Sequence, residues 1–214
     1  MPTRAMVIVG AGSSTRFGAD KLLTEVAGRP LIEHTIEAVR PHVDVCVVVC
    51  RPEVAERLTR SDLTVVPGGP TRTRSEMAGV AALGSDVDLV GIHDAARPLV
   101  SPALLHRLFE VAAIEGGALP MVAAEGLIID RTTHLPVTGV HGAQTPQVFR
   151  GTELFSAYRQ AAADDFEGHD TVDVMQRYGR VRIVALPGDP HNVKITYPGD
   201  LKRVEGRLSA ASRT

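Results

Sequence analysis

The sequence contains no long apolar run, no basic block and only two cysteines. No stretch approaches the roughly 18 to 20 apolar residues that cross a bilayer. The N-terminus also lacks the apolar core and cleavage site of a signal peptide. These absences favour a cytoplasmic protein without a membrane partner.

Net charge is also small. The chain has 23 Lys and Arg against 25 Asp and Glu, a formal net charge of −2. Proteins that bind nucleic acid normally present a basic face, so we expect no nucleic-acid partner. A small anionic ligand would instead need a local basic cluster.

The two cysteines, Cys46 and Cys50, lie in one apolar run. If this run is a strand, their Cα atoms are about 13 Å apart, which is too far for a disulfide. We interpret both as reduced core residues, because no further cysteine or close histidine pair would complete a metal site.

Composition and hydrophobic pattern predict the fold. The 214 residues, 44% hydrophobic and 22% charged, suit one α/β domain. Short β-branched runs alternate with helical segments, which is typical of a Rossmann-like, mostly parallel sheet covered by helices on both faces. Predicted strands cover residues 5–9, 43–50, 63–66, 89–93, 117–122 and 181–186. Predicted helices cover residues 30–39, 73–83, 102–115, 152–164, 171–178 and 199–210.

One stretch interrupts this alternation. Residues 127–130 and 135–140 form two short apolar runs around a polar turn, which predicts a β-arm at about residues 125–140 inserted in a single domain of residues 1–214. Such an arm serves association, covers a site or is a plain surface hairpin, and the pattern does not choose among these.

The segment after the first strand is rich in glycine and serine, and Arg16 and Lys21 follow. Glycines let backbone N–H groups approach phosphates closely, and two cations can offset the charge of a triphosphate. The dinucleotide fingerprint is incomplete, because Thr15 stands at its third glycine. Arg51, after the second strand, can accept the 2′-phosphate of NADP, so an NADP-dependent oxidoreductase stays open.

Asp94 and Arg97 follow the fourth strand, at the edge where open α/β sheets bind ligands. Asp94 can hold Mg²⁺ or a ribose hydroxyl, and Arg97 can bind a phosphate; the alternative is a mutual ion pair that orders the loop. Lys194 can reach a phosphate or remain a solvated lysine. His93 fits a packed core position, and His169 with Asp170 fits a helix cap or the surface.

Five motifs occur in order along nearly the whole chain and are specific in combination. They are Gly10-Ala11-Gly12 with Arg16 and Lys21, Gly68-Gly69 with Arg72 and Ser75, His93-Asp94-Ala95-Ala96-Arg97-Pro98, Gln144-Thr145-Pro146-Gln147-Val148-Phe149, and Asn192-Val193-Lys194-Ile195-Thr196. Together they resemble the 2-C-methyl-D-erythritol 4-phosphate cytidylyltransferase family, a branch of the sugar-nucleotidyltransferase-like proteins.

The resemblance implies transfer of CMP from CTP to 2-C-methyl-D-erythritol 4-phosphate, with Mg²⁺ as cofactor, in a homodimer formed through the arm. The implied catalytic residues are Arg16, Lys21 and Lys194. The implied nucleotide-binding residues are Gly10, Ala11, Gly12, Gly69, Arg72 and Ser75, with the cytosine beside the loop at 68–72. The implied acceptor-binding residues are Asp94, Arg97, His169 and Asp170, and Asp94 is also the implied metal ligand.

The departures from the family pattern concern the acceptor more than the nucleotide. Residues 125–128 lack the lysine of the family's Asp-Thr-(Ile/Met)-Lys segment, and residues 169–172 replace its Thr-Asp-Glu-Ala motif. Pro70 stands in place of an acidic residue, and the loop ending in Lys21 is short, as in molybdenum-cofactor nucleotidyltransferases. Ribitol 5-phosphate or another polyol phosphate therefore stays open as acceptor, as do a molybdenum-cofactor-type nucleotidyltransferase and an inactive nucleotide-binding paralogue.

Overall fold

The structure is a computed structural model that describes residues 1–12, 17–18, 20–58, 60–124 and 139–211. The strands are β1 (Arg4–Val9), β2 (Glu25–Val26), β3 (Arg29–Pro30), β4 (Val45–Cys50), β5 (Thr64–Pro67), β6 (Leu89–Asp94), β7 (Gly116–Ala123), β8 (His141–Ala143), β9 (Gln147–Arg150) and β10 (Arg182–Pro187). The helices are α1 (Leu31–Val39), α2 (Pro52–Ala55), α3 (Arg72–Ala81), α4 (Pro102–Glu115), α5 (Gly151–Ala163), α6 (Thr171–Tyr178) and α7 (Asp200–Ala211).

The central sheet has the strand order β10-β7-β9-β6-β1-β4-β5, with β8 paired to β7. Strands β6, β1, β4 and β5 are parallel neighbours, and β10 is parallel to β7. Strand β9 runs antiparallel between β6 and β7. The predicted α/β class with a mainly parallel sheet is therefore confirmed.

Side chains of β1 alternate between two hydrophobic clusters, as the two-residue period of a strand requires. Met6 and Ile8 pack in a cluster with residues of α1, α4 and α7. Ala5 and Val7 pack in the other cluster with residues of α3, α5 and α6. Helices thus cover both faces of the sheet. They leave the carboxyl ends of the parallel strands uncovered.

The predicted strands and helices of the regular alternation all occur, and each begins and ends within a residue or two of its predicted position. Pro30, predicted as the first helical residue, instead precedes α1 as its N-cap. Strands β2, β3, β8 and β9 and helix α2 were not predicted. Most of the predicted arm, residues 125–138, lies outside the described residues; at its base, the Ala124 N–H donates to the Val140 carbonyl over 2.9 Å. Gly139 and Val140, predicted as strand, are not in one.

Both cysteines are free and buried, as predicted. Burial raises the pKa of Cys46 to about 12 and that of Cys50 to about 11. Within the part of the chain that the structure describes, no helix has the length and apolar character needed to cross a membrane.

Candidate functional site

A cavity of about 600 Å³ opens at the carboxyl ends of the parallel strands. This is the edge where open α/β sheets bind ligands. Of the predicted site residues, nine line it: Gly10, Ala11, Gly12, Lys21, Gly69, Arg72, Ser75, Asp94 and Lys194. Arg16 lies outside the described residues, and Arg97, His169 and Asp170 are not among the lining residues.

The glycine loop after β1 is packed tightly where it begins. The Gly10 N–H donates to the Val49 carbonyl over 2.7 Å. A Cβ atom at Gly10 would lie 2.7 Å from Leu22 Cδ1 and 2.9 Å from Ala95 Cβ. A larger residue would therefore push the loop away from the strand ends, whereas a Cβ at Gly12 would meet no atom within 4 Å.

A second glycine loop, after β5, contacts the first. A Cβ atom at Gly68 would lie only 2.0 Å from Ala11 Cβ. The Gly69 N–H donates to Ser75 Oγ over 3.1 Å, and that hydroxyl donates to the Thr71 carbonyl over 2.8 Å. Ser75 therefore fixes the shape of the loop at 68–71, which forms one wall of the cavity.

Asp94 lies at the end of β6, is only 4% exposed and binds three cations. Its Oδ1 accepts from Arg72 Nη1 over 2.6 Å. Its Oδ2 accepts from Arg97 Nε and pairs with Lys194 Nζ, each over 3.1 Å. The Asp94–Arg97 ion pair, which the sequence allowed as an alternative, is thus present as one part of a larger cluster. We call Asp94 and these three cations the Asp94 cluster.

Charge in this cluster keeps Asp94 ionised. Burial by itself would raise the pKa of Asp94, but the positive charges of Arg72, Lys194 and Arg97 outweigh it and hold that pKa well below its usual value. Three cations against two carboxylates, Asp94 and the buried Glu76 that pairs with Arg72, leave this end of the cavity positive by one charge. An anionic ligand is the chemistry that such a surface favours.

Lys21 and Lys194 both border the cavity, and the segment at 192–196 connects them. Lys21 Nζ donates to the Ile195 carbonyl over 3.0 Å, and the Ile195 N–H donates to the Ala96 carbonyl over 2.9 Å. Residues 192–196 therefore join the loop that carries Lys21 to the end of β6, although they form no strand.

Three predicted acceptor residues lie apart from the cavity lining. Arg97 Nη1 donates to the Asn192 carbonyl over 2.8 Å, so Arg97 braces the 192–196 segment. Asp170 is the N-cap of α6, and it also accepts from Gln147 Nε2 over 2.9 Å. His169 is exposed beside it. Capping, the alternative that the residues allowed, is the role that the structure shows for Asp170; acceptor binding stays a prediction.

His93 is a packed core residue, as predicted. It is fully buried, and its ring nitrogens lie 3.1 Å from the Arg97 carbonyl and 3.0 Å from Thr145 Oγ1. Burial lowers the pKa of His93 to about 4, so the ring is neutral at neutral pH. His93 thus supports the loop after β6 rather than acting as a base.

Arg51, the residue that kept an NADP enzyme open, is ion-paired with Asp20. Asp20 also accepts from the Leu22 N–H over 3.1 Å. Arg51 therefore holds the turn next to Lys21.

Glu76, which was not predicted from the sequence, lies directly behind Arg72. Glu76 is fully buried; its Oε1 accepts from Arg72 Nε over 2.8 Å, and its Oε2 accepts from the Tyr158 hydroxyl over 2.6 Å. The available signal was the spacing of four residues between Arg72 and Glu76. On a helix this spacing also describes an ordinary surface ion pair.

The fold and this cavity define a nucleotidyltransferase of the α/β type, with a glycine loop after the first strand and a cationic cluster facing it. Residues 5–210 match the family described as "IspD: 2-C-methyl-D-erythritol 4-phosphate cytidylyltransferase". The chain belongs to this family.

Relatives and solved structures agree with that assignment. The chain is 38% identical to the bifunctional enzyme IspD/IspF of Granulibacter bethesdensis, over 96% of this chain and 56% of that protein. It is 34% identical to the 2-C-methyl-D-erythritol 4-phosphate cytidylyltransferase of Acidobacterium capsulatum, over 92% of this chain and 93% of that one. The crystal structure of the cytidylyltransferase of Thermus thermophilus matches with a TM-score of 0.80 and 26% identity, and each chain is covered completely. The chain thus spans about half of the bifunctional relative and nearly all of the Acidobacterium relative.

Proposed function

We propose that this chain transfers CMP from CTP to 2-C-methyl-D-erythritol 4-phosphate and releases pyrophosphate. The observation that carries the proposal is the cavity in which two touching glycine loops face the Asp94 cluster. Membership of the family supports the identity of both substrates.

The nucleotide takes the side of the cavity formed by the two loops. The backbone N–H groups of Ala11 and Gly12 suit the phosphates, since glycine allows close approach, whereas the Gly10 N–H is bound to the Val49 carbonyl. The loop at 68–71, held by Ser75, suits the base through its backbone groups. Lys21 completes this side, and Arg16 stays a predicted partner of the triphosphate.

The transfer step needs alignment more than acid–base chemistry. A phosphate oxygen of the acceptor, already anionic, forms a bond to the α-phosphorus, while the bond from that phosphorus to the bridging oxygen breaks and pyrophosphate leaves with the electron pair. Lys194 and Lys21 offset the charge that develops on the phosphates. Loss of one well-placed cation of this kind costs a factor of about 10³ to 10⁵ in rate.

We propose Mg²⁺ as a companion of the triphosphate, whose phosphates would supply most of its ligands because both oxygens of Asp94 already bind cations. Asp94 is the single carboxylate among the described residues that line the cavity, and these residues form no group of three or more metal-binding side chains. Mg²⁺ commonly binds one or two carboxylates together with substrate phosphates. When bound, the ion would neutralise phosphate charge, and Asp94 is the residue that would hold it.

We also propose that residues 1–214 form a single domain, and that two copies of the chain form a homodimer through the arm. Residues 125–138 fall between β7 and β8, whose pairing brings the two ends of the arm together at the edge of the sheet. Sedimentation equilibrium at micromolar concentration tests this. A mass near twice 22.8 kDa supports the dimer, and a mass near 22.8 kDa rejects it. The cytoplasmic location stays a prediction.

Pyrophosphate release tests the function. CTP, GTP, ATP and UTP are each combined with 2-C-methyl-D-erythritol 4-phosphate, ribitol 5-phosphate or no acceptor, in the presence of Mg²⁺. We expect release only with CTP and 2-C-methyl-D-erythritol 4-phosphate. Release with another acceptor would keep the chemistry and reject the substrate, and no release with any pair would reject the function.

A further inference from the structure

We propose that Glu76 and Tyr158 form a positioning pair that holds Arg72 in the orientation that the nucleotide requires. The inference rests on the proposed function, because it gives Arg72 a role in binding CTP. It adds two residues that lie outside the cavity and that no predicted motif contains.

Arg72 joins the cavity to the interior of the protein. It is the first residue of α3 and lines the cavity. Its guanidinium bridges two carboxylates, with Nη1 2.6 Å from Asp94 Oδ1 and Nε 2.8 Å from Glu76 Oε1. One of these carboxylates faces the ligand, and the other lies behind the guanidinium.

The two carboxylates that bind Arg72 differ in how many other cations they bind. Asp94 is shared with Arg97 and Lys194, and phosphates that enter the cavity compete for the same cations. Glu76 is fully buried and does not line the cavity. Glu76 is therefore the partner that stays with Arg72 when the ligand changes the Asp94 cluster.

Tyr158 fixes the orientation of the Glu76 carboxylate toward Arg72. It lies on α5, is 3% exposed, and donates to Glu76 Oε2 over 2.6 Å. Oε1 is thus left for Arg72. A contact across 82 residues of sequence locks the carboxylate in one orientation, and planar Arg–carboxylate contacts depend on such orientation.

A carboxylate at this place is costly, which points to a role beyond packing. Burial raises the pKa of Glu76, although the charge of Arg72 and the hydrogen bond from Tyr158 oppose that change. An apolar side chain of similar volume would fill the space between α3 and α5 without the cost of removing a charge from water. Buried charged groups that depart from ordinary core packing occur most often at functional sites.

The test is the affinity for CTP, measured by titration calorimetry without acceptor, for the variants Glu76→Gln and Tyr158→Phe. Both keep the shape of the side chain. We expect each to raise the Kd for CTP about tenfold, because Glu76→Gln removes the charged partner of Arg72 and Tyr158→Phe removes the hydrogen bond that orients that partner. The KM for CTP should rise in parallel, and kcat should change much less. The control Tyr178→Phe removes a hydroxyl that donates to Asp164 at the surface, and should leave the Kd unchanged.

A double-mutant cycle separates positioning from a merely structural role. In an Arg72→Ala background, Tyr158→Phe should have no further effect on the Kd, since the pair acts only through Arg72. Equal effects of Tyr158→Phe in both backgrounds would overturn the proposal, as would wild-type Kd values for both single variants. Wild-type protein that binds no CTP would instead overturn the proposed function. Thermal unfolding shows whether each variant is folded, and only the Kd values of folded variants are compared.

Discussion

The end of β6 and the start of α6 both carry residues predicted to bind the acceptor, yet they are built differently. At the end of β6, Asp94 is buried and pairs with three cations at the cavity. At the start of α6, Asp170 accepts from the Asp173 N–H of its own helix, and His169 is exposed. The difference shows that position in the fold decides what an acidic residue can do. Strand ends converge on the cavity, whereas a helix start satisfies its own backbone.

Replacing Lys194 should have the largest effect. Lys194→Ala should lower kcat for pyrophosphate release by about 10³ or more, because the developing phosphate charge loses a cation at the cavity. The control Lys202→Ala removes an exposed lysine of α7 and should keep the wild-type rate. Rates within about tenfold of wild type for Lys194→Ala would show that the β6 end is not the reacting region.

Asp94→Asn should lower the stability of the β6 end. The change leaves three cations around a neutral group, and removing one partner of a buried charge pair costs about 3 kcal/mol. Urea denaturation measures this as a fall in the free energy of unfolding. A fall smaller than about 0.5 kcal/mol, typical of a surface substitution, would contradict the network described for Asp94.

The pH dependence of that loss follows from the low pKa of Asp94. A carboxyl group with a folded-state pKa below its unfolded value contributes stability above about pH 4, and the contribution is lost as the pH falls further. The difference in unfolding free energy between wild type and Asp94→Asn should therefore be constant near neutral pH and shrink below about pH 4. A difference that grows on acidification would mean that the folded-state pKa is raised.

Asp170→Ala should have the smallest effect. Loss of the N-cap of α6 and of the acceptor for Gln147 Nε2 should lower the unfolding free energy by about 2 kcal/mol. Ser101→Ala removes only the N-cap of α4, so it is the cap control and should lose about 1 kcal/mol. If Asp170→Ala alone also raised the KM for the acceptor, Asp170 would bind the acceptor as well as cap the helix, and the contrast between the two regions would be weaker.

The regular elements could be predicted because their residues carry the signal locally. Apolar β-branched runs mark β1, β4 and β6, and Ser101 caps α4 as its position before Pro102 suggests. Strand β9 escaped because only Val148 and Phe149 of its four residues, Gln147–Arg150, are apolar. Its place between β6 and β7 depends on pairings with residues far away in the chain.

The site was predictable in its residue types but not in its contacts. Glycine loops and strand ends indicate where a ligand binds, which is why most of the predicted residues line the cavity. The pairing of Lys194 with Asp94 joins residues far apart in sequence, and no local pattern specifies it. Glu76 escaped for the same reason, because its burial depends on Tyr158 of another helix.

The central claim is that the cavity at the strand ends binds CTP between the glycine loops and the Asp94 cluster. A crystal structure of the wild-type protein with CTP and Mg²⁺ tests it most directly. We predict the triphosphate within hydrogen-bond distance of the backbone at 11–12 and of Lys21, with the base against the loop at 68–71. A nucleotide bound elsewhere, with this cavity filled only by solvent, would contradict the account.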